Sequence, residues 1–284
     1  MHAGERTADI ALVRRLLHGQ CADWAGLALE AVGGGTDNAL YRLGHDRVVR
    51  LPRIPTAAEQ VMKQHRWLPR LTLEIPQPVF LGIPAEGFPW RWSIFRWIEG
   101  EPATTAAFDE PVAAADLARF IAALREIDAE DAPPPGSHNS FRGVPLMARD
   151  RATRAAMAEV AGILDTAAAG RAWNAALAAS PWRRKPVLIH GDLQPANILA
   201  RGGRLAAVLD FGLMGRGDPA CDLMVAWTMF SKRSRGTFRD ALGVDDATWA
   251  RARGWALSFG LIALPYYAQS HPGLAGIARR RRRR

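Results

Sequence analysis

The segment from Val187 to Gly212 constrains this chain more than any other. Val187-Leu188-Ile189 is a short apolar run of the kind that forms a buried strand, and Ile198-Leu199-Ala200 is a second. Between them lies the polar stretch His190-Gly191-Asp192-Leu193-Gln194-Pro195-Ala196-Asn197. Arg201-Gly202-Gly203-Arg204 then signals a tight turn, and Leu205 to Leu209 returns as a strand ending in Asp210-Phe211-Gly212. In an antiparallel hairpin the first residue of one strand neighbours the last of its partner. Asn197 and Asp210 are therefore expected at the open end of this hairpin, with Asp192 a few residues upstream. A carboxamide oxygen and a carboxylate placed together are hard ligands suited to Mg²⁺, which keeps several waters and takes further positions from phosphate oxygens. A second carboxylate, Asp192, can accept a hydroxyl proton.

The rest of the chain reads as two textures. An amphipathic helix over 8–18 places Ile10, Val13, Leu16 and Leu17 on one face, with Gly19 as a stop. Three strand-like stretches follow, Leu27 to Val32, Ala39 to Leu43 and Val48 to Leu51, separated by GGGTDN and GHD, which predicts an antiparallel meander. Thr56 to Leu68 reads as a helix, and Val79 to Leu81 and Trp92 to Ile98 as strands. After Gly100 the sequence turns Ala/Leu-rich, with helical segments expected over 111–129, 146–179, 219–231 and 246–264. A β-rich first third joined to a helical remainder predicts an α+β protein of two lobes, residues 1–98 and 99–278, with a ligand cleft between them.

Composition closes off other classes. At 284 residues, 49% hydrophobic and 23% charged, the chain is neither disordered nor fibrous. Its longest uncharged apolar run, Gly254 to Ala268, falls short of the roughly twenty residues that a bilayer demands. The opening MHAGERTADI lacks the apolar core of a signal peptide, so a cytoplasmic location and no membrane partner are expected. Cys21 and Cys221, far apart and outside any Cys-x-x-Cys pattern, predict buried free thiols rather than a disulfide or zinc site. The formal charge of +9 includes the run Arg279 to Arg284, and without those six the body carries only +3. The run is expected to be a solvated, self-repelling, disordered tail, and nucleic acid is not the expected partner.

His190, Asp192, Asn197 and Asp210-Phe211-Gly212, in this order on a strand-turn-strand and followed by Gly217-Asp218-Pro219-Ala220-Cys221-Asp222-Leu223, resemble the catalytic loop and metal-binding segment of the protein kinase-like superfamily. The pattern is similar to that of the aminoglycoside phosphotransferase family of small-molecule kinases, from Gly33 to about Tyr267. The resemblance implies a kinase-like two-lobed fold, a small β-rich lobe and a larger helical one, with nucleotide between them. It implies Asp192 as catalytic base, Asn197 and Asp210 as ligands of Mg²⁺ on ATP or GTP, and a small-molecule hydroxyl as acceptor. It also implies structural roles for His190 and Asp222, while Asp218 is expected to tether its own Gly-Asp-Pro turn.

The nucleotide end departs from that pattern. Gly33-Gly34-Gly35-Thr36 lies between two predicted strands and could bring backbone N–H groups to phosphates, yet it is neither a Gly-x-Gly-x-x-Gly nor a Walker loop. Arg50 stands where the family usually carries a phosphate-binding lysine; it keeps the charge and adds a bidentate fork. The partner carboxylate expected on the next helix is either Gln64, a neutral replacement, or Glu59. The backbone of Arg96 to Ile98 is expected to face the adenine edge. These departures leave a second reading, a nucleotide-binding pseudokinase acting through a protein partner.

An enzyme for polycationic aminoglycosides should line its acceptor pocket with carboxylates. Beyond Ser231 the acids are Asp240, Asp245 and Asp246, against Lys232, Arg233, Arg235, Arg239, Arg251 and Arg253 before the tail. A neutral or weakly charged acceptor, macrolide-like or sugar-like, fits that balance at least as well.

Overall fold

The computed structural model describes residues 5–33, 37–103, 108–162 and 164–270. Gly34, Gly35 and Thr36 of the glycine run and the tail Arg279 to Arg284 lie outside the described residues. The chain divides into two compact units: residues through Phe108 with Ser137–Ser140 and Ala196–Leu213, and Asp109–Gly136 with Phe141–Pro195 and everything from Met214.

In the first unit, helix α1 (Ile10–Gln20) starts where the Asp9 carboxylate accepts the Leu12 N–H at 2.7 Å, and it buries Val13, Leu16 and Leu17. The short α2 (Ala22–Ala25) leads into β1 (Leu29–Val32), β2 (Asn38–Leu43) and β3 (Arg47–Pro52), an antiparallel meander registered Leu29↔Leu43 and Tyr41↔Val49. Alternation along these strands sends Leu29, Tyr41, Leu43, Val49 and Leu51 into one core with the apolar face of α1. Helix α3 (Pro55–Trp67) opens with Pro at its first position and buries Ala57, Val61, Gln64 and Trp67. Strands β4 (Pro78–Gly82) and β5 (Trp92–Arg96) complete a five-stranded sheet of order β1-β2-β3-β5-β4. Trp92 to Phe95 are buried in succession, as suits a strand covered on both faces. Ser93 Oγ lies 2.9 Å from His65 Nε2 of α3. The expected strand over 92–98 therefore stops at Arg96.

Beyond the sheet, β6 (Glu101–Pro102) leads to α4 (Pro111–Glu126), α5 (Asp150–Glu159) and α6 (Thr166–Leu177), and then to β7 (Val187–Ile189). The single helix expected over 146–179 is in fact a 3-10 turn at Leu146–Arg149 followed by α5 and α6. Gly162, at φ +91°, lies in the break, and Asp165 starts α6 afresh by accepting the Ala168 N–H at 2.8 Å. Strands β8 (Ile198–Arg201) and β9 (Arg204–Val208) pair with each other, and β8 also with β6. Strand β10 (Gly215–Gly217) pairs with β7, and α7 (Ala220–Leu223), α8 (Val225–Met229), α9 (Lys232–Leu242) and α10 (Asp246–Ser270) finish the described chain. The helix expected over 219–231 is divided between α7 and α8, and α9 follows as a separate element.

In the second unit α4 buries Leu117, Phe120, Ile121 and Leu124, while Phe238 of α9 sits in an aromatic cluster with Phe230 and Trp249. A side chain at Gly217 would lie 2.5 Å from the Gly143 carbonyl oxygen, so only glycine permits this approach of two backbones. Asp218 beside it caps its own turn, accepting the Ala220 N–H at 3.0 Å. It also receives the Arg251 fork of α10, Nε to Oδ2 at 2.7 Å and Nη2 to Oδ1 at 3.2 Å, with both side chains 4% exposed. Arg251 is thus a buried structural cation, which corrects its place in the charge balance of the sequence reading. Cys21 and Cys221 are free and buried, and no described helix is long and apolar enough to cross a membrane.

Candidate active site

The hairpin β8–β9 owes its register to its turn. Gly202 and Gly203 adopt φ of +56° and +72°, the pair of left-handed residues that a two-residue turn matched to strand twist requires. Ile198 stands opposite Val208, and the Leu209 N–H donates to the Asn197 carbonyl at 2.7 Å, carrying the ladder one step past the strand ends. The open end of the hairpin thus brings Asn197 next to the residue that precedes Asp210. Asp210 itself sits at φ +58°, a conformation aspartate tolerates by bonding locally: its Oδ1 accepts the Gly212 N–H at 3.3 Å. Phe211 is buried, while the Asp210 side chain remains 43% exposed.

Arg50, on β3, donates from Nη2 to Asp210 Oδ1 at 2.9 Å across 160 positions of sequence. The partner of Arg50 is therefore Asp210, and neither Gln64 nor Glu59 takes that part. Glu59 is exposed, and Gln64 is buried with its side-chain nitrogen unbonded among the described residues. The face of α3 turned to this region carries residues that the sequence reading did not select. A side chain on Gly212 would meet Gln60 Oε1 at 2.1 Å and Asp210 Oδ1 at 3.2 Å, so Gln60 packs against the Phe211–Leu213 turn. Lys63, half-buried, places Nζ 3.3 Å from Nδ1 of His138, which lies on the 3-10 turn Ser137–Asn139. Burial brings the Lys63 ammonium down to about 8, against the charge of Asp210, which acts to raise it. The i, i+3, i+4 spacing of Gln60, Lys63 and Gln64 was the available signal for a shared helix face.

The loop after β7 is built separately, within the second unit. Asp222 of α7 accepts the His190 N–H at 2.7 Å and the Gly191 N–H at 2.8 Å, one on each carboxylate oxygen, and is 2% exposed. Burial pushes the Asp222 carboxyl above the usual carboxylate range, while these two backbone bonds favour the ionised form. Gly191 takes φ +82°, and the fully buried His190 accepts the Asp192 N–H on Nδ1 at 3.1 Å. Accepting there places the ring proton on Nε2 in the neutral form. Asp192 is half-buried, and its Oδ2 accepts a hydrogen bond from Gln194 Nε2 at 3.0 Å. Gln194 is a further residue that sequence reasoning passed over; its place two residues after a loop carboxylate was the only clue.

Elsewhere the donors are partly engaged. The Arg96 N–H is held by the Gln77 carbonyl at 2.9 Å and the Trp97 N–H by the Asp46 carbonyl at 2.8 Å, whereas the Ile98 N–H has no such bond among the described residues. Gly33 is the described part of the glycine run, and open space surrounds the position of its missing side chain. A cavity of about 550 Å³ beside the hairpin turn is lined by Glu99 to Pro102, Phe108 and Ala200 to Gly203, and none of Arg50, Asp192, Asn197 and Asp210 lines it.

One carboxylate and one carboxamide at a hairpin end form a donor set that fits Mg²⁺, a cation that binds few protein oxygens and completes its shell with water and phosphate. Among the described residues no group of three or more His, Cys, Asp or Glu side chains could hold a metal ion without such help.

Comparison with known proteins places this geometry. No curated protein matches the sequence. Among solved structures the chain is similar to the GDP and kanamycin complex of APH(2")-IIia, at 19% identity over 94% of this chain and 95% of that one, with a TM-score of 0.70. It is similar to the GDP complex of wild-type aminoglycoside 2'-phosphotransferase-IIIa, at 19% identity, 95% and 97% coverage and a TM-score of 0.71. It is also similar to the apoenzyme of macrolide 2'-phosphotransferase MphH from Brachybacterium faecium, at 24% identity, 95% and 97% coverage and a TM-score of 0.64. These likenesses establish the kinase-like α+β fold. The model of the phosphotransferase enzyme family, APH, matches residues 28–255, a span that takes in the sheet, the hairpin with Asn197 and Asp210, and the Asp222-braced loop, so the chain is a phosphotransferase and belongs to that family.

Proposed function

We propose that the protein is an ATP- and Mg²⁺-dependent O-phosphotransferase that moves the γ-phosphoryl group to a hydroxyl of a small molecule in the cytosol. The observation that carries this reading is the hairpin end where Asn197 meets the Asp210 segment while Arg50 reaches the Asp210 carboxylate. In the proposed reaction the bond between the terminal phosphorus and the bridging oxygen of the nucleotide breaks, a bond from phosphorus to the acceptor oxygen forms, and the acceptor proton passes to Asp192. Gln194 holds one Asp192 oxygen, which fixes the carboxylate plane for receiving that proton. Asp222 and His190 hold the loop backbone. Asn197 and Asp210 would hold the magnesium ion, which when bound offsets the charge of the phosphate oxygens. Arg50, as the strand cation, would release Asp210 for the α/β-phosphates; Ile98 would face the adenine edge and the Gly33 to Thr36 run the phosphates.

The acceptor surface supports a neutral or weakly charged molecule over a polycation. Three acids of the second unit serve the fold: Asp109 accepts the Ser231 N–H at 2.9 Å, Asp245 accepts the Thr248 N–H at 2.6 Å, and Asp246 pairs with Arg239. Lys232, Arg233 and Arg253 remain exposed. Macrolide-like and sugar-like compounds are the proposed acceptors, ahead of aminoglycosides. The test is a nucleotide-consumption screen over antibiotics and hydroxylated metabolites with mass detection of an added phosphate. Phosphorylated product from at least one acceptor supports the reading, whereas nucleotide binding with no product from any acceptor would replace it with the pseudokinase.

A further inference from the structure

Kinase-like sites tie the helix after the strand cation to that cation through an ion pair, which holds the cation toward the phosphates. Here Glu59 is exposed and Arg50 is engaged by Asp210 at 2.9 Å, so the helix is attached in another way. Arg50 of β3 stands directly opposite Ser93 of β5, and directly opposed residues of an antiparallel pair share one face of the sheet. Ser93 is 2% exposed, and its Oγ lies 2.9 Å from Nε2 of His65 on α3, whose ring rests 6.0 Å from that of Phe95. Burial lowers the His65 imidazole below its ordinary value, so this bond joins two uncharged groups at neutral pH. On its other side α3 meets the turn that follows Asp210, where Gln60 Oε1 leaves no room for a side chain on Gly212. At about 100° per residue, Gln60 and His65 stand roughly 140° apart around the helix, and the buried Ala57, Val61 and Gln64 fall within that arc. The helix is thus a wedge, one edge on the strand row of the cation and the other on the turn of the carboxylate.

We infer that His65 is a positioning residue: its hydrogen bond to Ser93, together with the Gln60 contact, makes α3 a neutral brace that fixes Arg50 against Asp210 in place of an ion pair. The inference rests on the proposed roles of Arg50 and Asp210 in binding Mg·ATP. Because the brace touches neither nucleotide nor metal, its loss should cost rate through misalignment while the binding groups remain in place. The test uses the full chain as wild type, His65→Phe, His65→Gln, Ser93→Ala and the double variant His65→Phe/Ser93→Ala. Its readouts are the side-chain ¹⁵N NMR signal of Arg50 without nucleotide, assigned by its loss in Arg50→Lys, intrinsic hydrolysis of Mg·ATP with water as acceptor, and thermal unfolding.

His65→Phe keeps a ring against Phe95 and removes the hydrogen bond. It should displace the Arg50 signal in the direction that Asp210→Asn does and lower kcat by on the order of tenfold, with the Michaelis constant for Mg·ATP within about twofold of wild type. His65→Gln, whose amide nitrogen can reach Ser93, should recover most of both losses. In the double variant no buried hydroxyl is left unpaired, so the unfolding midpoint should rise above that of His65→Phe while kcat stays low. Recovery of kcat together with the midpoint would mean a bond that serves stability alone, and that result overturns the inference. If wild type neither binds nor hydrolyses Mg·ATP, the reading of the nucleotide site has failed and the inference falls with it. Wild-type hydrolysis beside an unmoved Arg50 signal in His65→Phe defeats the brace alone.

Discussion

Asp222 and Asp192 show how differently two carboxylates thirty residues apart can be used. The first has both oxygens on backbone N–H groups of the loop and is buried; the second is half-buried with one oxygen on Gln194. Substituting Asp192→Asn keeps the shape and removes the proton acceptor, so turnover should drop by on the order of 10² or more while nucleotide affinity stays close to wild type. Steady-state rates beside calorimetric nucleotide binding check this, and wild-type turnover would remove Asp192 from the chemistry. Asp222→Asn should act through the fold instead, because its NH₂ group would face a backbone N–H; a cost of about 1–3 kcal/mol in denaturant unfolding is the expected outcome.

At the scale of elements, the junction of β10, α7 and α10 depends on close contact and one buried ion pair. Gly217→Ala would push a methyl group against the Gly143 carbonyl, and neither backbone can yield cheaply. Loss of about 1–3 kcal/mol or more is expected, read as a lower unfolding midpoint. Arg251→Met leaves Asp218 buried without its fork, with an expected cost of about 3–5 kcal/mol. Such elements divide sharply in how far they can be read from sequence. The β8–β9 hairpin is legible because its information is local: two glycines for the turn, apolar runs on either side, and the ladder places Asn197 and Asp210. The contacts of Arg50 with Asp210, of Gln60 with the turn after it and of Lys63 with His138 are not legible, since each joins residues far apart in sequence and the helix face involved is set by tertiary packing. Arg251 misled for the same reason: 33 positions separate it from Asp218, and by composition it counts as one more surface charge.

The whole molecule keeps its two thiols out of reach. Burial raises Cys21 to about 11 and Cys221 well above its usual range. Between pH 9 and about 11 the unfolded chain gives up a Cys21 proton that the native state retains, so stability contributed by this group falls as pH rises through that window. Labelling by an exposed-thiol reagent at neutral pH should accordingly follow unfolding, with both sites silent in the native protein; rapid native labelling at either one would contradict the burial. The same global view brings the function back to a single point, since the sheet supplies Arg50 and the hairpin supplies Asn197 and Asp210. A calorimetric titration of Mg·ATP into wild type, Asn197→Ala and Asp210→Ala tests that point most directly. Loss of the proposed inner-sphere oxygens should weaken Mg·ATP binding in both variants, and unchanged affinity in both would place the metal and its nucleotide elsewhere on the chain.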